Sequence, residues 1–302
     1  MKVGIFYNSI SNPGKFSNKV ELMDNFKKGV FLSKDTTIDF RSNELPNQQL
    51  DAGFVLGYTL EENFRKKIIN HLASNNVPSI FVDSNILHYS RSEHFWHRYS
   101  LNTVYPDTGT YFFNDLDLTK WDTFSKWHNV SLKPWRTNGN HILLLAQRPK
   151  GFNMFTDQDA WLSKTIANIK RHSNRPIVVR MHPGDGTRHK QIEKLQKRYG
   201  NALGISEHEN IRDALKNCWC SVGYASTPNV VSAIEGVPVY VEEPEKSWAK
   251  EICFSDLSKI ENPPLPDRSQ WIHTIANTHW SNDEVVSGKL WANIKNYILN
   301  SR

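Results

Sequence analysis

The chain has 302 residues, enough for two domains of ordinary size, and its 38% hydrophobic and 23% charged residues describe a folded protein, not a disordered one. No run approaches the ~18 apolar residues of a membrane span, and the first residues read as a strand entering a core, not as a signal peptide, so no membrane is expected. Net charge is +6, and the three cysteines (Cys218, Cys220, Cys253) are too few and too oddly numbered for a disulfide framework, which fits a cytoplasmic protein.

In chain order, residues 3–7 read as a strand, and 18–31 as a helix from apolar residues at 20, 22, 23, 26, 30 and 31. Strands are expected at 37–40 and 52–57, a helix over 61–73 after Thr59, and a strand at 79–82 that ends in Asp83-Ser84-Asn85. Residues 88–135 are dense in aromatics without a clean period and read as short helices and loops. Lys133 to Gly139, punctuated by Pro134 and Gly139, reads as an interdomain linker. Five strands follow, at 141–146, 176–180, 202–206, 218–222 and 237–241. Helices lie between them near 157–172, 187–199, 210–217 and 227–235. Two more helices are expected near 268–279 and 283–299. The alternation predicts an α/β protein of two Rossmann-like domains, residues 1–135 and 136–302, facing across a cleft, with the C-terminal helices packing back.

Charge is concentrated in the middle. Residues 136–200 hold 13 Lys and Arg against 4 Asp and Glu, a distribution that attracts phosphate. Lys190, Lys194, Lys197 and Arg198 also suit a solvated helix face. A Cys-x-Cys pair at 218 and 220 could ligate a metal, but no companion ligands stand at zinc-site spacing.

Ligands of parallel sheets bind beyond the carboxyl ends of the strands. There the second half places Arg148, Arg180, His182, Ser226 and Thr227. Ser226 or Thr227 followed by Pro228 reads as a helix cap with free backbone N–H groups that favour an anion. Arg148, Arg180 and His182 can donate charge-assisted hydrogen bonds to a diphosphate. Glu235, before Gly236, is a candidate acceptor for a ribose diol. No obligate metal cofactor is expected.

The stretch from about 141 to 241 resembles the donor half of GT-B glycosyltransferases. Ser226-Thr227-Pro228 through Glu235-Gly236-Val237-Pro238-Val239 is similar to their closing signature of polar cap, helix and Gly-x-Pro-Val. Gln147-Arg148-Pro149 and His182-Pro183 resemble elements of capsule-polysaccharide transferases, with Arg148 interrupting the first. Phe81-Val82-Asp83, Arg148 and Glu235 resemble positions of phage DNA glucosyltransferases that modify hydroxymethylcytosine. The resemblance implies a UDP-sugar as co-substrate, Asp83 as the catalytic base that deprotonates the acceptor, and inversion at the anomeric carbon. A hydroxymethyl-pyrimidine in double-stranded phage DNA is the favoured acceptor, given the basic segment and the aromatics of 88–135, with a host-cytoplasmic location. A surface polysaccharide, a nucleotide-sugar epimerase and a non-catalytic nucleotide-binding protein are the alternatives.

Overall fold

The computed structural model describes residues 1–10, 17–87, 96–147 and 157–301. In chain order, β1 (Lys2–Phe6), α1 (Ser17–Leu32), β2 (Thr36–Phe40), β3 (Ala52–Leu56), α2 (Phe64–Ser74), β4 (Ser79–Asp83), β5 (Trp96–Leu101) and α3 (Lys120–Trp127) come first. Next are β6 (His141–Leu145), α4 (Gln158–His172), β7 (Ile177–Arg180), α5 (Arg188–Tyr199), β8 (Gly204–Ile205), α6 (Ile211–Ala214), β9 (Cys218–Gly223), α7 (Pro228–Ile234), β10 (Val239–Val241) and α8 (Ser269–Asn277). The chain closes with β11 (His279–Ser281), α9 (Asn282–Val286) and α10 (Lys289–Asn300). Two compact units result, Met1–Trp121 with His273–Arg302, and Asp122–Ile272.

The first unit holds a sheet in the order β11-β5-β4-β3-β1-β2. Strands β1 to β4 pair in parallel, whereas β5 and β11 run antiparallel at one side. Every residue of β3 is buried, as expected for a central strand covered on both faces. Phe26 of α1 stacks on Phe54 of β3 at 4.2 Å and meets Trp291 of α10 edge-on at 6.0 Å. Residues 273–302 therefore complete the first core, whereas the sequence reading assigned them to the second domain. Their apolar residues Trp280, Val285, Leu290, Trp291, Ile294 and Ile298 lie in one cluster with Val3, Ile5 and Phe54. The single helix expected over 283–299 is broken at Gly288, whose φ of +83 only glycine adopts readily.

The second unit is a five-stranded sheet, β10-β9-β6-β7-β8, parallel throughout. Its core joins Ile142 and Leu144 of β6 to Leu162, Ile166 and Ile169 of α4 and to Val222 of β9. The expected linker lies inside this unit as a strap along α7: Lys133 N–H donates to Ile234 O at 2.9 Å and Arg136 N–H to Gly236 O at 2.7 Å. Among the described residues, no helix is long and apolar enough to cross a membrane.

Candidate functional site

The order of the second sheet locates its crevice. From β6 the chain builds outward through β7 to β8, then returns to the other side of β6 for β9 and β10. The connections leaving β6 and β9 thus diverge in opposite directions, and the gap between them is the topological switch point at which such sheets bind ligands. Leu145 and Gly223 pair in register at the carboxyl ends of these two strands.

Buried polar atoms gather at that edge. Asn229, in the first turn of α7, is fully buried, and neither its Oδ1 nor its Nδ2 has a hydrogen-bond partner. It lies directly over Gly223: a Cβ on that glycine would stand 2.6 Å from Asn229 Oδ1. Gln147, two residues past β6, is buried with Oε1 unpartnered, while its carbonyl accepts from the Gln158 side chain, whose own Oε1 is also unpartnered. After β7, Asp185 spends Oδ1 on the N–H and hydroxyl of Thr187, at 2.8 Å each, and Oδ2 is buried without a partner. After β8, Ser206 Oγ is in the same condition. A buried unsatisfied polar group costs about 1–3 kcal/mol, so several along one sheet edge make that edge the candidate site for a polar ligand.

The residues nominated from sequence are only partly brought together there. Arg148 lies outside the described residues. Arg180 ends β7 but is buried and turned into its own unit, with Nε donating to His208 O at 3.3 Å and Nη2 to Glu209 O. Burial holds its guanidinium below the ordinary arginine range. Arg180 therefore braces the 208–209 loop. His182 stands in the next loop, half-buried, its Nδ1 accepting the Gly184 N–H at 2.9 Å. That bond leaves the proton of a neutral ring on Nε2.

The expected cap on α7 is absent. Thr227 is already helical (φ −58, ψ −32), and its side chain makes no bond to the helix. Backbone bonds take its place, from Asn229 N to Ser226 O at 3.0 Å and from Val230 N to Thr227 O at 2.9 Å. Ser226 and Thr227 follow the carboxyl end of β9, and Pro228 opens the helix as expected. The amide donors predicted for an anion are in part already spent.

Glu235 is not at this edge. It caps the far end of α7, the helix that runs back from the carboxyl edge, about 10 Å along its axis. Its Oε1 accepts from Arg212 Nε at 2.9 Å and its Oε2 from Lys133 Nζ. The carboxylate ties the 133–136 strap to α6 and α7.

In the first unit, Asp83 is the last residue of β4 and is partly exposed. One oxygen meets Arg98 Nη2 at 2.5 Å, and the other accepts the Ser84 N–H at 2.7 Å. Arg98, unnoticed in the sequence, pairs in register with Asp83 across β4 and β5. Tyr7, just past β1, donates its hydroxyl to Asp24, and the Arg41 guanidinium lies 3.9 Å from its ring centroid. Burial and Asp24 both push the Tyr7 phenol up.

Burial pushes the Cys218 thiol up to about 12 and raises Cys220 as well, so both remain protonated inside β9. Among the described residues no three His, Cys, Asp or Glu side chains gather as a metal site.

No protein-family model matches the chain, and no curated protein matches it by sequence. Among solved structures, the chain is similar to the Thermosulfurimonas dismutans KpsC β-Kdo 2,4-transferase, with a TM-score of 0.55 and 14% identity over 91% of this chain and 90% of that one. It is also similar to the β-Kdo 2,7-transferase of the same organism's KpsC, with a TM-score of 0.56 and 13% identity over 97% and 99%. At such identities the likeness is one of fold: two Rossmann-like units of the GT-B type.

Proposed function

We propose that this chain is a glycosyltransferase that takes a sugar from a nucleotide-sugar, with the donor's diphosphate held at the carboxyl edge of β6 and β9. The observation that carries this reading is the convergence of buried Gln147, Gln158 and Asn229, each with an unpartnered side-chain amide oxygen, on the switch point of a parallel sheet. Arg148, next in sequence to Gln147, and His182 supply the donors for a leaving diphosphate. Asp83 is the proposed base, oriented by Arg98, and direct attack by the hydroxyl that it deprotonates gives inversion. The reaction runs without an obligate metal, so activity persists in a chelator.

For the acceptor, the reading moves from DNA to a glycan hydroxyl. The aromatics of 88–135 that suggested a base-stacking surface are largely core: Trp96, Tyr99, Tyr111, Phe113, Trp121 and Phe124 are all buried. Tyr89 and Phe95 lie outside the described residues. On α5, Lys194 pairs with Asp159 at 2.9 Å, and Arg198 donates to Ser163, as on a solvated helix face. The structures similar in fold are named as Kdo transferases, which supports a surface-glycan acceptor.

The test is a panel of UDP-, CMP- and GDP-sugars offered with acidic oligosaccharides and, separately, with hydroxymethylated duplex DNA, followed by mass spectrometry of the acceptors. A hexose- or ulosonate-sized gain on an oligosaccharide supports the proposal. A gain on the nucleosides alone restores the DNA acceptor. Tight nucleotide binding with no transfer and no donor hydrolysis defeats the enzymatic reading.

A further inference from the structure

The opposite end of the second sheet carries a feature that the transfer reaction does not use. Ahead of β6 and β9 lies a groove of about 460 Å³ lined by Arg136, Asn138, Gly139, Asn140, Lys216 and Asn217. Its size falls among ligand pockets, about 300–1,000 Å³. Its lining does not resemble a drug-like pocket: two cations and three primary amides, with no carboxylate, aromatic ring or aliphatic side chain among them.

The frame is fixed. Arg136 is anchored by its Nη1 on Leu215 O at 2.5 Å, and Asn140 N–H donates to Asn217 O at 2.7 Å. Gly139 O accepts from Arg175 Nη1 at 2.5 Å, and the Arg175 guanidinium lies 4.3 Å from the Trp219 ring centroid. Arg175 is in turn paired with Glu261 at 3.0 Å. Asn138, Asn140, Lys216 and Asn217 are themselves exposed. Lys216 pairs with Asp213 at 2.9 Å, a pair open enough to water to yield its ammonium to a competing anion at small cost.

We propose that this groove is a second carbohydrate site, specific for an acidic sugar, that retains a carboxylated acceptor chain at a distance from the site of transfer. A guanidinium and an ammonium match a carboxylate, and amide groups, which both donate and accept, match vicinal hydroxyls. A nucleobase finds no ring to stack on, which disfavours a nucleic acid strand. Two sites engaging one polymer raise its effective concentration without any new contact at the reacting end. The role in retention rests on the glycosyltransferase reading; the binding chemistry does not.

Titration calorimetry of the full chain with an oligogalacturonate tests it, with maltoheptaose as neutral control and sodium sulfate as competitor. Binding of the oligogalacturonate and not of maltoheptaose is expected, weakened at least tenfold in Lys216→Glu and in Asn138→Ala with Lys216→Ala. Nucleotide affinity and melting temperature are expected to be unchanged. Binding that these variants do not weaken, displacement by millimolar sulfate alone, or stronger retention of duplex DNA lost in the same variants overturns the proposal. Oligogalacturonate binding without sugar transfer to any acceptor would sink the transferase reading and leave the groove standing.

Discussion

Arg98 and Asp83 face each other across β4 and β5, guanidinium to carboxylate at 2.5 Å, with the arginine nearly sealed from water and the aspartate only partly so. Arg98 Nε also holds Ser84 O at 2.8 Å, so one side chain fixes both the carboxylate and the turn behind it. If Asp83 is the base, Asp83→Asn lowers transfer by about a hundredfold to ten-thousandfold while slow donor hydrolysis persists. If the pair is only structural, the same variant loses about 1–3 kcal/mol of stability through the buried arginine and keeps its turnover. Measuring transfer and urea unfolding on one preparation separates the two.

Asn229 offers a sharper contrast. Its buried amide is unpartnered, so Asn229→Leu, which keeps the same heavy-atom branching, is expected to raise the melting temperature while weakening nucleotide binding at least tenfold. Thermal shift with and without nucleotide reads both effects. A less stable variant with unchanged affinity would assign Asn229 to the core. Gly223→Ala forces a methyl onto the same amide and is expected to cost about 1–3 kcal/mol as well as nucleotide affinity.

For Glu235 the expectation is the reverse. Glu235→Gln leaves Lys133 and Arg212 without their counter-charge. Because Lys133 is about half exposed, the loss is about 2 kcal/mol and not the ~4 kcal/mol of a fully buried pair. Nucleotide affinity should stay within about twofold, since the residue stands at the wrong end of α7 for the crevice. A tenfold loss of affinity at unchanged stability would restore the ribose-binding assignment.

Lys120 carries a pH signature. Its ammonium lies 4.1 Å from the Trp280 ring centroid and 3.4 Å from Glu284. Burial pulls it down to about 8, although Glu284 resists the shift. Between that value and the ordinary lysine range the unfolded chain binds the extra proton, so stability rises with pH across that window. Below it, the full cost of keeping the charge buried is present. Relative to Lys120→Met, the wild type should gain up to about 3 kcal/mol between about pH 8 and about pH 10.5 in urea unfolding followed by tryptophan fluorescence. A flat difference would show a solvated ammonium.

The elements of the second unit could be read in the sequence because apolar runs and helical periods alternate cleanly from His141 to Val241. All five strands lie within the expected ranges or extend one residue beyond them. Strand β5 escaped because Trp-His-Arg-Tyr-Ser-Leu has no alternation: Arg98 is buried only because Asp83 and the Ser84 carbonyl receive it. Strand β11 is three residues long and exists only through its pairing with β5. At the proposed site, turn chemistry pointed to the sheet edge where Gln147 and Asn229 hold buried, unpartnered amide oxygens. Which way a side chain turns there depends on distant backbone, as the 208–209 carbonyls show for Arg180. Gln147 left a weak signal, a polar residue directly after an apolar strand. Asn229 left another, an amide inside a mostly apolar helix.

The return of residues 273–302 to the first core gives the chain an order of assembly. During synthesis the second unit has all of its strands once Val241 has emerged, and it can collapse on its own. The first sheet must wait, its Phe26 and Phe54 uncovered, until Trp291 arrives. The earliest-made half is thus the last to be finished, and a ribosome that stalls within α10 would release a folded second unit joined to an open, adhesive first one.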